Sequence, residues 1–440
     1  MAASVFDSPL YAKLFPAGDI GRLFTDSAAM RAMLLVEGAL AKVQGKQGVI
    51  PEDSGAAIHR ASLEITIDPG AIATSTGQNG VPVPGLIAAF RKEMEAPEHS
   101  AYIHWGATSQ DIMDTALMLR MRQALLLAES DIKAVLKALA QHAEKHADQP
   151  MPARTYNQHA TPTSWGAVVA TWGMPLIDAL DELEQLRASS LWVSLSGAAG
   201  TSSALGPHAD QTRADLAKAL GLNDPKRSWH TDRTPILRIT DWMARVTTLL
   251  AAMAQSLIGL SASGIEEVSL AGAGGSSTMP QKQNPVGPSA IVALSHQIAG
   301  LSSSLHISAT HQHQRDGAAW FAEWMVLPQI MLSGAAALEH AKTLSVQITP
   351  QIVQMETALA GLGLIHAEAL SFALAEIMPR PDAQAAAKTL CAEAQKTGTD
   401  LASLTLAAYP TIDPSIFQPA DQMGHAPDQA RAFVAAVKAL

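Results

Sequence analysis

The sequence has 440 residues, a formal net charge of −10 and a single cysteine, Cys391. The acidic balance and an aromatic content of only 5% argue against a nucleic-acid partner, which requires clustered basic residues and stacking rings. One cysteine excludes a disulfide framework and a cysteine-based metal site within the chain. Charged residues make up only 16%, which predicts that much apolar surface is hidden, in part between subunits.

The first 101 residues predict short helices, because prolines repeatedly interrupt the helical pattern. The opening residues MAASVFDSPLY carry neither a basic region nor an apolar run. We therefore expect no signal peptide and a cytoplasmic protein.

A long amphipathic helix is predicted around residues 117–143, where apolar residues recur with gaps of three and four. Four further long helices are predicted at about 162–192, 236–265, 288–313 and 320–346, and none of them shows the alternation of a strand. We therefore predict an all-α protein with a central bundle of five long helices. The apolar series consists of Leu117, Met121, Ala124, Leu125, Ala128, Ile132, Val135, Leu136, Leu139 and Ala143.

The stretch from residue 246 to residue 265 contains no charged side chain and is long enough to span a bilayer. Its internal Thr, Gln and Ser residues, with Arg245 and Glu266 directly at its ends, favour a buried helix of the bundle. We therefore expect no membrane association.

Two breaks in the pattern predict three domains. An N-terminal helical domain is expected at 1–101, and a central long-helix bundle with the active-site regions at 102–347. A C-terminal helical domain is expected at 348–440, because Thr349 and Pro350 end the last long helix and shorter helices follow.

Three polar segments interrupt the helices. In the first, HWGATSQDIMDT at 104–115, Thr108 or Ser109 can cap a helix that begins near Asp111, and the free N–H groups there favour an anion. A plain N-cap is the alternative. The second, ARTYNQHATPTSWG at 153–166, is unusually polar for a mere connection before a helix.

The third segment, GGSSTMPQKQNPVGP at 274–288, is predicted to be a loop between two helices, because its glycines and prolines forbid a continuous one. Met279, Lys282 and Asn284 indicate defined contacts, as in a mobile active-site lid, although a flexible linker is the alternative. No metal or cofactor is expected. His142 and His146 have a zinc-compatible spacing but no further ligand nearby, and the nucleotide-binding and serine-hydrolase motifs do not occur.

Together the three segments resemble the fumarase/aspartase superfamily. GSSTMPQKQNP at 275–285 matches its signature GSSxMPxKxNP, and GATSQD at 106–111 and RTxxQHATPT at 154–163 match its other two regions in order. The resemblance extends over essentially the whole chain. It implies an all-α, three-domain subunit and a homotetramer in which each active site is built from three subunits.

Within the superfamily the chain is similar to the bacterial, metal-independent 3-carboxy-cis,cis-muconate cycloisomerases, for example in SGAAGTSSALG and AAWFAEW. That resemblance implies a small tricarboxylate substrate, an open-chain diene from protocatechuate breakdown that closes to a lactone. Eliminating lyases of the superfamily usually carry RTHxQ in the second region, but here Tyr156 replaces the histidine. A carboxylate with a pKa near ~4 leaves or adds without a proton, so a cyclising enzyme has less need of that histidine.

The resemblance also implies roles for individual residues. Ser276 would deliver the proton to carbon, and Lys282 and Asn284 would stabilise the enediolate. Two alternatives remain open: a lyase that releases fumarate from adenylosuccinate or argininosuccinate, and a purely structural relative such as a lens crystallin. Arg233 and Arg315 can also be structural ion pairs, and Tyr156 and His104 can simply shape the pocket. The expected substrate-binding residues are Thr108, Ser109, Thr155, Tyr156, Gln158, His159, Arg233, Arg315 and His104.

Overall fold

The computed structural model describes residues 4–271, 274, 275, 279 and 282–440. It is 69% helical, which confirms the predicted all-α class. The chain divides into two compact units. Unit 1 comprises Met1–Asp131, Ala179–Thr248 and Ala293–Glu339, and unit 2 comprises Ile132–Asp178, Leu249–Val292 and His340–Leu440. The predicted three-domain boundaries stay a prediction.

Short helices dominate the first hundred residues, as expected from the prolines. Asp68 and Pro69 begin a 3-10 turn, where the Asp68 carboxylate accepts a hydrogen bond from Gly70 N–H at 3.0 Å. Earlier in the chain, the Thr25 hydroxyl caps the helix Asp26–Lys46 by accepting a hydrogen bond from Ala28 N–H at 3.2 Å. The helices of this region are α1 (Gly18–Arg22), α2 (Asp26–Lys46), α3 (Glu52–Glu64), α4 (Ala73–Asn79), α5 (Val83–Met94) and α6 (Pro97–Ser100).

Four of the five long helices occur where the sequence predicts them, although their ends differ. The single helix predicted at about 162–192 is wrong: a strand continues to Ser164, and two shorter helices, Trp165–Asp181 and Leu183–Ser190, follow it. The first, α7, is continuous over Ser109–Lys145, and the members of its apolar series from Met121 to Ala143 are all fully buried. The third predicted helix ends at Leu260, because a turn follows before Glu266, which has a φ of +52°. The remaining helices of the central region are α8 (Trp165–Asp181), α9 (Leu183–Ser190), α10 (Ala209–Leu220), α11 (Thr234–Leu260), α12 (Val286–Ser308) and α13 (Gly317–Gln347).

Each unit has its own helix contacts. In unit 1, Trp242 of α11 donates a hydrogen bond to the Ala179 carbonyl of α8 at 2.8 Å. Gly334 of α13 faces Met243 so closely that a Cβ would lie 2.4 Å from its sulfur. In unit 2, a Cβ on Gly173 of α8 would lie 2.2 Å from the Phe433 ring, so glycine is needed for this packing.

Among the described residues, two helices, α11 and α13, are long and apolar enough to cross a membrane. About half of the relevant window of each helix is buried inside the protein. The buried side of α11 includes Ile236, Trp242 and Leu250, which is the packing predicted for a bundle helix.

Unit 2 contains short strands that the sequence did not predict. β1 (Pro150–Thr155) and β2 (Gln158–Ser164) form an antiparallel hairpin, and β3 (Val268–Leu270) pairs with β6 (Ile348–Pro350). β4 (Gly274–Gly275) pairs with β5 (Gln283–Asn284). After β6 the chain continues as α14 (Ile352–Ala360), α15 (Ala367–Ala375), α16 (Arg380–Thr397), α17 (Leu401–Ala408) and α18 (Ala426–Lys438).

Candidate active site

The first signature segment forms the loop before α7 in unit 1. His104 and Gly106 adopt positive φ values of +68° and +73°, which turn the chain into the helix. The helix begins at Ser109, and the Asp111 carboxylate accepts a hydrogen bond from Thr108 N–H at 3.1 Å. This contact is one half of a capping box, so Thr108 is the capping position and Asp111 holds it.

Asp111 also fixes a second loop of unit 1. Its side chain is fully buried, and it accepts hydrogen bonds from the backbone of Ser196 and Gly197, both at 2.9 Å. The Ser194 hydroxyl and His230 Nε2 donate to the same carboxylate at 3.1 and 2.8 Å. One buried carboxylate thus joins the loop around Thr108 to the loop around Ser196.

Arg315 lies against the start of α7. Its Nε donates to Gln110 Oε1 at 2.9 Å, and its Nη2 donates to Thr108 Oγ1 at 3.3 Å and to the Ala198 carbonyl at 3.2 Å. All of these acceptors are neutral, and the residue is exposed. Its charge therefore adds to that of the helix N-terminus, and together they favour a carboxylate beside Thr108 and Ser109.

Arg233 has a different environment from that expected of a substrate ligand. It is buried and donates to both oxygens of Asp114, at 2.8 and 3.0 Å, and to both oxygens of Glu323, each at 2.8 Å. These bonds occupy the guanidinium, so the structure places Arg233 in the ion pair that the sequence left open as its alternative role. Gln110, which accepts a hydrogen bond from Arg315, also donates to Asp114 at 3.2 Å. The buried cluster of Arg233, Asp114 and Glu323 is therefore linked to the start of α7.

His104 is held by a buried glutamate. Its Nδ1 lies 2.6 Å from Glu37 Oε1 of α2, and the Glu37 side chain is fully buried. Burial lowers the pKa of His104, but the hydrogen bond and the charge of Glu37 outweigh this effect and hold the pKa above its ordinary value. The contact therefore favours an imidazolium at the first residue of the first signature segment.

The second signature segment is the β1–β2 hairpin of unit 2. Tyr156 and Asn157 form its two-residue turn, with φ values of +52° and +59° that suit a type I′ turn. Tyr156 is fully exposed at this tip, and Thr155 and Gln158 pair beside it and are also exposed.

The strand pair next to this turn, Arg154 and His159, includes a partly buried ion pair. Arg154 donates to Glu267 Oε1 and Oε2 at 2.5 and 2.7 Å, and the Glu267 side chain is fully buried. The same guanidinium reaches His159 Nε2 at 3.1 Å. A guanidinium can only donate, so His159 accepts this hydrogen bond through Nε2.

The third signature segment is described only in part. Ser276 and Ser277 lie outside the described residues. Asn284 pairs with Gly274 across β4 and β5, and Gln283 pairs with Gly275. Lys282 is exposed, and its backbone N–H donates to the Met279 carbonyl at 3.0 Å. The role of this segment as a lid stays a prediction.

Taken together, unit 1 brings Thr108, Ser109, Arg315 and His104 to one loop region. Unit 2 carries the hairpin residues Thr155, Tyr156, Gln158 and His159, as well as Lys282 and Asn284. Among the described residues, no group of three or more His, Cys, Asp or Glu side chains could hold a metal ion. Sequence reasoning missed the buried partners that hold these residues in place, namely Glu37, Asp111, His230, Glu267 and Glu323.

Comparison with known proteins identifies the class. Residues 16–300 match the family model described as "Lyase". The chain belongs to this lyase family, within the fumarase/aspartase superfamily, as its three signature segments predicted.

Particular relatives share most of the chain. It is 34% identical to a 3-carboxy-cis,cis-muconate cycloisomerase of Acinetobacter baylyi over 98% of this chain and 99% of that protein. It is also 34% identical to the enzyme of that name from Pseudomonas aeruginosa, over 89% of this chain and 87% of that protein. The crystal structure of 3-carboxy-cis,cis-muconate lactonizing enzyme from Pseudomonas putida superposes with a TM-score of 0.91, at 30% identity, and covers 98% of this chain and 99% of that one.

Proposed function

We propose that the protein is a 3-carboxy-cis,cis-muconate cycloisomerase, which closes a tricarboxylate diene to a lactone in aromatic-compound breakdown. The observation that carries the proposal is the residue at position 156. A tyrosine stands there at the exposed tip of the β1–β2 hairpin, whereas eliminating relatives usually carry a histidine that protonates their leaving group. The relatives described above have the proposed activity in their names.

The proposed reaction forms one C–O bond and one C–H bond. A substrate carboxylate oxygen adds to the conjugated double bond, whose electrons move to form an enediolate on another carboxylate. Lys282 and Asn284 stabilise that charge, and Ser276 then delivers a proton to carbon. The trianion takes up one proton overall, so no leaving group and no redox partner are required.

The substrate carboxylates need cationic and N–H partners despite the acidic chain. Arg315 and the N–H groups at the start of α7 supply one such place beside Thr108 and Ser109. His104 supplies a second binding place for a carboxylate, because Glu37 raises its pKa and so favours the imidazolium form. Arg233 is not assigned to substrate, because Asp114 and Glu323 already occupy it.

An ultraviolet assay with 3-carboxy-cis,cis-muconate tests this function. Loss of the diene absorbance is expected with wild type and with Ser277→Ala, but not with Ser276→Ala. If both serine variants cyclise the substrate equally well, the activity stands and Ser276 loses its role. If wild type leaves the diene untouched but releases fumarate from adenylosuccinate or argininosuccinate, the alternative lyase function replaces the proposal.

We further propose that the protein is a cytoplasmic homotetramer with shared active sites. Large apolar side chains are exposed on the long helices, including Leu126 of α7, Met174 of α8, Ile307 of α12, and Met325 and Val346 of α13. Such surface is usually covered by association, and a single cysteine suits a reducing compartment.

Mixing two inactive variants tests the shared site. Arg315→Ala and Ser276→Ala are refolded together after denaturation and compared with each variant refolded alone. Regained cyclisation in the mixture is expected if the two residues serve one site from different subunits. Light scattering that gives the mass of one 46.2 kDa chain would contradict the tetramer.

A further inference from the structure

Unit 1 contains a cavity of about 500 Å³ whose lining is mainly apolar. This volume lies within the range of pockets that bind small molecules, ~300–1,000 Å³. The apolar lining comes from the first turns of α2, the segment around α4, the second and third turns of α7, and α13. It includes Phe24, Met30, Met33, Ile72, Leu117 and Leu327.

Arg120 of α7 also lines this cavity and lacks a full set of partners. Its guanidinium makes one long hydrogen bond, from Nη1 to the Leu23 carbonyl at 3.3 Å, and its carbon lies 5.9 Å from the centre of the Phe24 ring. The Nε atom is buried and has no acceptor. Burial lowers the pKa of Arg120 to about 10, and only the charge of Asp26 opposes that effect.

None of the three acidic residues that line the cavity forms an ion pair with Arg120. Asp114 and Glu323 direct both of their oxygens to Arg233. Asp26 is exposed in the first turn of α2, where the helix N-terminus already favours its charge. The wall of an apolar cavity therefore carries a cation whose only hydrogen bond among the described residues is the long one to Leu23.

We propose that this cavity binds a small monocarboxylate with a compact apolar body, such as an aromatic acid. The carboxylate supplies the acceptor that Arg120 Nε lacks, and the apolar body fills space lined by Met, Leu, Ile and Phe side chains. Arg120 follows Ser109 by eleven residues along α7, a distance of about 16 Å along the helix axis. Binding here does not depend on the proposed cyclisation.

Arg122, on the same helix as Arg120, provides a matched control variant. Arg122 donates to the carbonyls of Leu220 and Gly221, at 2.5 and 2.8 Å, and it does not line the cavity. Arg122→Gln and Arg120→Gln therefore remove the same charge from neighbouring positions. Ala29→Phe fills the cavity from α2 and leaves both arginines in place.

Calorimetric titration of the full-length protein with benzoate tests the proposal, with acetate and benzyl alcohol as probes that keep only the charge or only the ring. Benzoate is expected to bind wild type and Arg122→Gln with Kd values within about twofold. Binding is expected to weaken about tenfold or more in Arg120→Gln and in Ala29→Phe, and for both control probes.

Three results would overturn the inference: no benzoate binding to wild type, unchanged binding in Arg120→Gln, or unchanged binding in Ala29→Phe. Either variant alone decides the matter if the other fails to fold. The diene assay on the same samples reports separately on the proposed cyclisation, because neither position belongs to a signature segment.

Discussion

His230 Nε2 donates a 2.8 Å hydrogen bond to Asp111 Oδ1, and both side chains are buried inside unit 1. The same carboxylate receives N–H groups from Thr108, Ser196 and Gly197. The position of the first signature loop therefore depends on one charged group that never contacts solvent. Such a group is costly to bury unless every lone pair is used, so its partners cannot be exchanged freely.

Replacing that carboxylate by an amide should destabilise the protein. Asp111→Asn puts an NH2 group against N–H donors, and we expect the free energy of unfolding to fall by about 2–4 kcal/mol. Chemical denaturation measures the change. Asp241→Asn is the control, because the Asp241 side chain is nearly half exposed and its hydrogen bond, at 3.1 Å, is to the exposed side chain of His306. Equal losses in the two variants would contradict the role assigned to Asp111.

Glu323 should make stability depend on pH. Burial raises its pKa, and although Arg233 opposes this, the charge of Asp114 adds to the rise. The pKa of Glu323 in the folded state exceeds the unfolded value of ~4.3. The contribution of Glu323 to stability is therefore fully present below pH ~4.3, and it is lost as the pH rises through the raised pKa. The side chain at this position cannot ionise in Glu323→Gln. The free energy of unfolding of this variant should therefore increase relative to that of wild type as the pH rises.

Urea denaturation between pH 4.5 and pH 7 measures that difference. Glu93→Gln is the control, because Glu93 is an exposed residue of α5. A constant difference between wild type and Glu323→Gln across this range would show that Glu323 does not titrate there.

The Glu37–His104 contact should set the pH dependence of substrate binding. Glu37→Gln removes the charge that raises the pKa of His104, so that pKa should fall below the wild-type value. In the proposed reaction, the rise of KM with increasing pH should then begin at a lower pH in Glu37→Gln than in wild type, while kcat changes little. The stability that this pair adds to the folded state is fully present below about pH 6.5, and it is lost as the pH rises through the raised pKa of His104.

Histidine NMR follows the titration of His104 directly, and steady-state kinetics follows KM. Glu98→Gln is a suitable control, because Glu98 lies beside a different histidine, His99, at 3.9 Å. An unchanged His104 titration in Glu37→Gln would refute the assignment.

Gly274 should not tolerate a side chain. A Cβ there would lie 2.9 Å from Cγ2 of Val286, a stiff β-branched residue, so β4 or the start of α12 must shift. We expect Gly274→Ala to lower the cyclisation rate at least tenfold without unfolding the protein. Gly287→Ala is the matched control, because its nearest atom, His340 Nδ1, is 3.8 Å away.

The double variant Gly274→Ala/Val286→Ala tests the cause. It removes the methyl group that the new Cβ meets and should recover most of the activity. If the double variant is as slow as Gly274→Ala, the effect does not come from this contact.

The long helices were predictable because their apolar periodicity persists over many turns. The α7 series from Met121 to Ala143 is buried as its spacing requires. The ends were harder to predict, because caps depend on contacts distant in sequence. The sequence predicted either Thr108 or Ser109 as the cap of α7, and the choice of Thr108 depends on Asp111, whose other partners lie more than eighty residues away.

The β1–β2 hairpin was missed for a physical reason. Its two-residue turn uses Tyr156 and Asn157, although a tyrosine rarely adopts a positive φ, and the Asn-Gly signal is absent. Prolines at 150, 152 and 162 also weaken the strand pattern. The threonines of ARTYNQHATPTS were the remaining strand signal, and they are equally common in loops.

Roles of buried charges cannot be obtained from sequence alone. Arg233 and Arg315 both lie in polar motifs, yet one is enclosed by two carboxylates and the other meets neutral acceptors at the surface. Which arginine is available depends on Asp114 and Glu323, which are 119 and 90 residues from Arg233. Only the fold brings them together.

The pairing of β4 with β5 bears on how such an enzyme diversifies. Gly274 and Asn284 are joined through main-chain atoms, as are Gly275 and Gln283. Main-chain bonds do not depend on side-chain identity, so side-chain substitutions can leave this pairing of the two ends of the segment intact. Gly274 is the exception, because Val286 leaves no room beside it. Apart from that position, the main chain alone can hold the two ends of the segment together, whatever side chains a related sequence carries there.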